Sequence, residues 1–92
     1  MKKAERAHLQ KVSEMGCIAC QIIGHYGTPA EIHHIRTGMG MGQRNDNYHV
    51  IPLCPHHHRQ GPDAIHQSKK NFELMFGTEL QLLELITDEV AS

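Results

Sequence analysis

Tryptophan is absent from this sequence of 92 residues, and phenylalanine and tyrosine occur only twice each. A chain this short buries about 60–65% of the surface that its unfolded form exposes, and here few large rings are available to bury. Small domains in this position commonly rely on a disulfide or a metal. The cysteines do not suit a disulfide scaffold: there are three, an odd number, and Cys17 and Cys20 stand too close for a simple bridge. Residues 1–10 are charged and helical in pattern rather than apolar, so no secretory signal is expected there. No apolar run approaches the roughly 18–20 residues of a membrane span. The expectation is a soluble, cytoplasmic protein, in which cysteine pairs are metal ligands. An excess of either charge is also missing. The net charge is −1 with histidine neutral, which is not the basic balance of a strong nucleic-acid binder. Three metal-bound thiolates and two divalent ions would leave the whole near neutral, with positive charge concentrated where the ions sit; a metal can itself neutralise a phosphate.

What the chain has in abundance is histidine, nine in all. The pattern predicts a first helix over 4–15, with Ala4, Ala7, Leu9, Val12 and Met15 partly at helical spacing and Gly16 after it. Residues 17–20 form a tight metal-binding turn and 24–29 a loop. A strand over 31–35 ends in His33–His34. Residues 37–47, where Gly38, Gly40 and Gly42 alternate with Met39 and Met41, read as a mobile loop leading to a second strand over 48–53. Pro55 suits the first turn of a short helix over 55–60. Ser68 caps a helix that Gly77 closes. Thr78 and Glu79 open a last helix to about residue 90, with Leu80, Leu83, Leu85 and Ile86 as its apolar face.

Two constellations carry chemistry. Cys17 and Cys20 are separated by two residues, as are Cys54 and His57. Two such turns can close a tetrahedral shell of nitrogen and sulfur around Zn²⁺ and leave no position for water, which makes the site structural. His56, His57 and His58 are consecutive, and the two-residue spacing favours His57 as the fourth ligand. Four histidines remain near this scaffold: His33, His34, His58 and His66. A hairpin followed by a helix folds their segments against one another. Phosphodiester hydrolysis needs a base to activate water, a cation to stabilise charge and protection for the leaving oxygen. Neutral imidazoles can serve as base and as ligands. Adjacent strand residues face opposite sides, so His33 and His34 share a site only if the strand ends or bulges there.

The assembled residues resemble the HNH (ββα-metal) endonuclease family, and most closely its phage-type branch that includes the recombination enhancement function (Ref) nucleases. The resemblance is carried by Cys-Ile-Ala-Cys at 17–20, Glu-Ile-His-His-Ile at 31–35, Gly-Met-Gly-Gln-Arg at 40–44, Ile-Pro-Leu-Cys-Pro-His-His-His at 51–58 and Ile-His at 65–66. It continues through Lys-Lys-Asn-Phe-Glu at 69–73 and Phe-Gly-Thr-Glu at 76–79. It implies an α+β fold: a small ββα-metal finger with a structural zinc, flanked by an N-terminal helix and C-terminal helices. The chain is then a single domain over 1–92, with the helix in 1–16, the zinc-bound core in 17–66 and the C-terminal helices in 68–92. By position, His33 is a catalytic-metal ligand, His34 the general base, and His58 and His66 further ligands. Glu31 stands where related nucleases carry a carboxylate that orients an imidazole. The ion at the second site would be Mg²⁺, Mn²⁺, Zn²⁺ or Ni²⁺.

The chain departs from the pattern at two places. The position of the family's middle asparagine, five residues before Cys54, holds His49, with Asn47 two residues earlier. The fourth residue after His58 is Pro62, so His66 must reach in from a loop or the next helix, and a smaller set of His58 with one other ligand stays open. Arg36, Arg44, Arg59, Lys69 and Lys70 flank the histidines and suit phosphate contacts that position DNA without reading its sequence. The resemblance implies a DNA endonuclease with little sequence preference, acting in phage or prophage recombination inside a bacterial host cell. It admits a recombinase such as RecA as partner, although the long basic N-terminal extension of fuller relatives is not seen here and dependence on RecA is not carried over. A monomer with no membrane association is expected. The alternative on the same scaffold is a non-catalytic zinc module that binds DNA or a protein partner.

Overall fold

The computed structural model describes residues 2–37 and 46–91, with the backbone alone for 88–91. The Gly/Met stretch and Arg44 therefore lie outside the described residues. The elements in chain order are α1 (Lys3–Glu14), α2 (Ile18–Ile22), β1 (Glu31–His34), β2 (Val50–Leu53), a π-helical turn (His56–Gln60), α3 (Lys69–Phe76) and α4 (Glu79–Ala91). This is an α+β arrangement around a two-stranded antiparallel sheet. None of the described helices is long and apolar enough to cross a membrane.

α1 begins where the Glu5 carboxylate accepts from the Lys2 amide at 3.1 Å. It buries Val12 fully, with Leu9 and Met15 partly covered against the core, while Ala4 and Ala7 face solvent. Gly16, at φ +79°, ends it. A Cβ there would lie 3.1 Å from the Thr28 carbonyl oxygen, which is already occupied by the Cys17 amide at 3.0 Å. The segment expected as a tight turn continues into α2. Cys17 is its N-cap, and the Cys17 sulfur accepts from the Cys20 amide at 3.4 Å. One short helical turn thus aims both thiols the same way.

In the sheet, Glu31 pairs with Leu53, Ile32 with Pro52, His33 with Ile51 and His34 with Val50. The Ile35 amide extends the ladder by one bond to the His49 carbonyl, 3.0 Å. Each strand of a two-stranded sheet is an edge strand, so a proline in β2 is tolerated. All four residues of β2 are buried because α1, α2 and α4 all pack against it.

α3 starts as expected, with the Ser68 hydroxyl accepting from the Asn71 amide, 3.3 Å, and ends at Gly77, φ +106°. It buries Phe72 and Phe76, whose ring centroids are 5.1 Å apart. The expected apolar face of α4 is corrected: Leu80 and Leu85 are each 52% exposed, and the buried stripe is Glu79, Leu82 and Ile86, with Leu83 partly covered. A carboxylate occupies the first position of that stripe, and this is why the apolar residues alone point to the wrong phase. Since Phe72 is fully buried and rings are scarce, Phe72→Ala should destabilise the domain by about 3–5 kcal/mol. That is comparable with the whole stability of a small domain. Chemical denaturation should show the midpoint falling by a large fraction; a shift within error contradicts this view of the core.

Candidate metal centre

The backbone around β2 sorts the histidines. Cys54 follows the strand directly, and the chain then winds through the π-helical turn His56–Gln60, marked by the bond from the Gly61 amide to the His56 carbonyl, 2.9 Å. Wide turns of this kind recur at functional sites. Here the turn sends three consecutive imidazoles in different directions. His56 is exposed, His57 turns toward the cysteines, and His58 turns toward β1.

The first cluster is Cys17, Cys20, Cys54 and His57, with all four donor atoms within 4.8 Å of one another. The Cys20 and Cys54 sulfurs are 3.8 Å apart, and His57 Nδ1 lies 3.7, 3.5 and 3.2 Å from the sulfurs of Cys17, Cys20 and Cys54. A tetrahedral zinc with ordinary bond lengths has sulfur–sulfur edges of about 3.8 Å and sulfur–nitrogen edges of about 3.6 Å. The three thiols are buried and unbridged. Burial pushes the Cys17 thiol up to about 12, against the pull of hydrogen bonds from the backbone of Cys54 and Cys20. Burial also pushes His57 down, helped by His56, so its lone pair is free near neutrality. Buried thiols that resist ionisation become thiolates when a cation replaces their protons. The donor set and its spacing thus fit one metal ion.

The second cluster is His33, His58 and His66, again with donor nitrogens within 4.8 Å of one another. Glu31 and His33 lie on one face of β1, two residues apart, and both meet His58. The Glu31 carboxylate accepts from His58 Nδ1 at 2.9 Å, and the His33 and His58 rings are 5.1 Å apart. His66 arrives because its segment is laid along the turn: the Ile65 amide donates to the His57 carbonyl at 2.9 Å, and the His66 amide to the His58 carbonyl at 3.1 Å. His66 Nε2 then lies 3.0 Å from His58 Nε2. With Nδ1 of His58 protonated toward Glu31, its Nε2 carries a lone pair. Two ligands at right angles on an ion about 2.1 Å away stand about 3.0 Å apart, so this pair also suits a shared cation. Burial lowers the His66 pKa, as do His58 and His33. Exposure rises from His33, 3%, to His66 at the surface, leaving one side of the cluster open.

Two carboxylates stand behind these imidazoles. Glu31 is held to about 2, first by the Arg59 guanidinium and then by His58. Arg59 grips it at 3.1 and 2.8 Å. The other, Glu79, is a residue that the sequence pattern marks only as a helix opener. It is 1% exposed, and its Oε2 is 2.6 Å from His33 Nε2. Burial pushes Glu79 up, but hydrogen bonds from His33, Thr37 and the Arg36 amide outweigh it and hold the carboxyl at about 2. The signal that could have found it is a glutamate at helical spacing with Leu82, Leu83 and Ile86, on the face that turns inward.

His34 is not part of the three-histidine group. It is the last residue of β1, half-buried where the strand ends, and its Nε2 donates to the Asn47 side-chain oxygen at 2.9 Å. Of the two candidates for the middle asparagine position, Asn47 therefore faces His34, whereas His49 is exposed and pairs with Asp46 at 2.7 Å. Among the expected phosphate-binding residues, the Arg36 side chain and Lys70 are exposed, Lys69 stands 3.6 Å from Glu79, and Arg59 is engaged by Glu31. Arg44 lies outside the described residues.

A family model described as recombination enhancement, RecA-dependent nuclease matches residues 2–91. No curated protein matches the chain.

Proposed function

Because the chain belongs to the family of recombination enhancement, RecA-dependent nucleases, we propose that it is a metal-dependent DNA endonuclease of the HNH type. In this reading the Cys17, Cys20, Cys54 and His57 cluster holds a structural zinc. A ββα-metal finger is then formed by β1, β2 and the turn His56–Gln60. The observation that carries the proposal is the convergence of His33, His58 and His66 nitrogens within 4.8 Å. They lie beside a closed cage, on a face that opens to solvent. A purely structural module has no use for a second set of donors with a free side.

A divalent ion on these three histidines supplies Lewis-acid stabilisation of the charge that grows on the phosphodiester. The chain's own residues do the rest. Asn47 accepts from His34 Nε2, which leaves Nδ1 of the neutral ring bare. That nitrogen takes a proton from water as the water oxygen bonds to phosphorus, and the bond to the departing sugar oxygen breaks with that oxygen taking a proton from solvent. Glu31 keeps His58 in the tautomer that presents Nε2, an arrangement that raises ligand basicity. Arg36, Arg44, Lys69 and Lys70 contact flanking phosphates, with Arg59 steadying Glu31. RecA dependence, carried in the family's description, implies that DNA coated with RecA is the better substrate.

The test is cleavage of plasmid DNA, bare and coated with RecA, in the presence of Mg²⁺, Mn²⁺ or Ni²⁺. Wild-type protein should cut, and His58→Ala should lose activity by at least about 100-fold while retaining its zinc. Absence of cleavage with every ion, with and without RecA, contradicts the proposal.

A further inference from the structure

Glu79 is the first residue of α4, and 46 positions separate it from His33. Its two oxygens are fully committed. Oε2 meets His33 Nε2 at 2.6 Å and the Arg36 amide at 3.0 Å. Oε1 takes the Arg36 amide at 3.0 Å, the Thr37 amide at 3.1 Å and the Thr37 hydroxyl at 2.8 Å. Lys69 Nζ adds a charge at 3.6 Å. Every one of these partners is a donor, so an ionised carboxylate, which only accepts, satisfies them all.

We infer that Glu79 is a positioning residue that fixes the proton of His33 on Nε2, so that Nδ1 presents its lone pair to His58 and His66, and that sets the path of the chain leaving β1 through the same carboxylate. A carboxylate behind a ligating imidazole fixes both its tautomer and its orientation. What is particular here is that the carboxylate also binds two successive backbone amides, those of Arg36 and Thr37, just past the strand. Tautomer and chain direction are therefore set together, by a side chain delivered from the C-terminal helix. The consequence for metal binding rests on the proposal that His33 is a ligand; the tautomer itself does not.

Substitution by glutamine separates the two. Three donors crowd Oε1, so the amide nitrogen introduced by Glu79→Gln is better placed on the Oε2 side, where it faces His33. It then donates to Nε2, and the ring proton moves to Nδ1.

The experiment has two readouts on zinc-containing protein. Long-range ¹H–¹⁵N spectra, recorded above about pH 8, where a free imidazole is neutral, should show His33 protonated on Nε2 in the wild type and on Nδ1 in Glu79→Gln. Calorimetric titration with Mn²⁺ should show the variant binding about 10–100-fold more weakly, with its cage zinc unchanged. A bare Nε2 on His33 in the wild type overturns the inference, even if the variant fails to fold. A variant that folds, keeps the wild-type tautomer and binds Mn²⁺ equally well overturns it too. If the wild type takes up no Mn²⁺ yet the tautomer reverses in the variant, the inference holds and the three-histidine metal site is what fails.

Discussion

Removing the proposed zinc from the Cys17, Cys20, Cys54 and His57 cluster is expected to unfold the whole domain. Apparent binding energies for structural zinc in small domains are about 10–16 kcal/mol near neutrality. The full stability of a domain is about 5–15 kcal/mol, so little remains without the metal. The cage lies inside the core: Cys17, Cys20 and Cys54 are buried among Val12, Ile18 and Leu53, and His57 stacks edge-on against Phe76 at 5.1 Å. Its four ligands tie α2, the end of β2 and the turn after it, segments that hydrophobic burial alone holds weakly in a chain this short. Far-UV circular dichroism before and after treatment with a strong chelator measures the effect, and Cys54→Ser should reproduce it. A spectrum and melting curve unchanged by chelation contradict a structural role.

The second large effect is expected at His34, the proposed general base. Loss of a general base typically costs about 10²–10⁴ in rate, or about 2.7–5.4 kcal/mol of barrier at about 1.36 kcal/mol for each factor of ten. His34→Ala should therefore lower cleavage by that factor without changing metal content, because His34 lies outside the three-histidine cluster and bonds to Asn47 instead. His33→Ala is the control. It removes a proposed ligand, so excess divalent ion should recover part of its activity, whereas excess ion should do nothing for His34→Ala. Cleavage that persists in His34→Ala assigns the base elsewhere; recovery of both variants by metal makes His34 a ligand.

The two clusters are legible in the sequence to different degrees, and the reason is distance along the chain. The cage is written in local spacing, since two residues between ligands let one turn present both; the same spacing favours His57 among three consecutive histidines, and His57 is the one that stands with the three cysteines. The second cluster is legible as a set of residues but not as a geometry. The route of His66 depends on two backbone bonds between the segment at 65–66 and the carbonyls of His57 and His58, and nothing in local composition marks a chain that lies back along a π-helical turn. Glu79 is harder still. A glutamate after a threonine at the start of a helix is common on helix grounds alone, and its partners His33, Arg36 and Thr37 lie 46, 43 and 42 positions away. The face of α4 is misread for the same reason: counting apolar residues selects Leu80 and Leu85, while the fold buries a carboxylate that a histidine and two amides can satisfy.

One peptide unit joins the two centres, since His57 belongs to the cage and His58 to the open cluster. Under the proposed function, this adjacency couples the two sites. Zinc on His57 would hold the turn His56–Gln60 that also carries His58, so an ion in the cage would stabilise the site for the second ion. On that proposal, withdrawing zinc would weaken cutting without touching a residue of the second cluster.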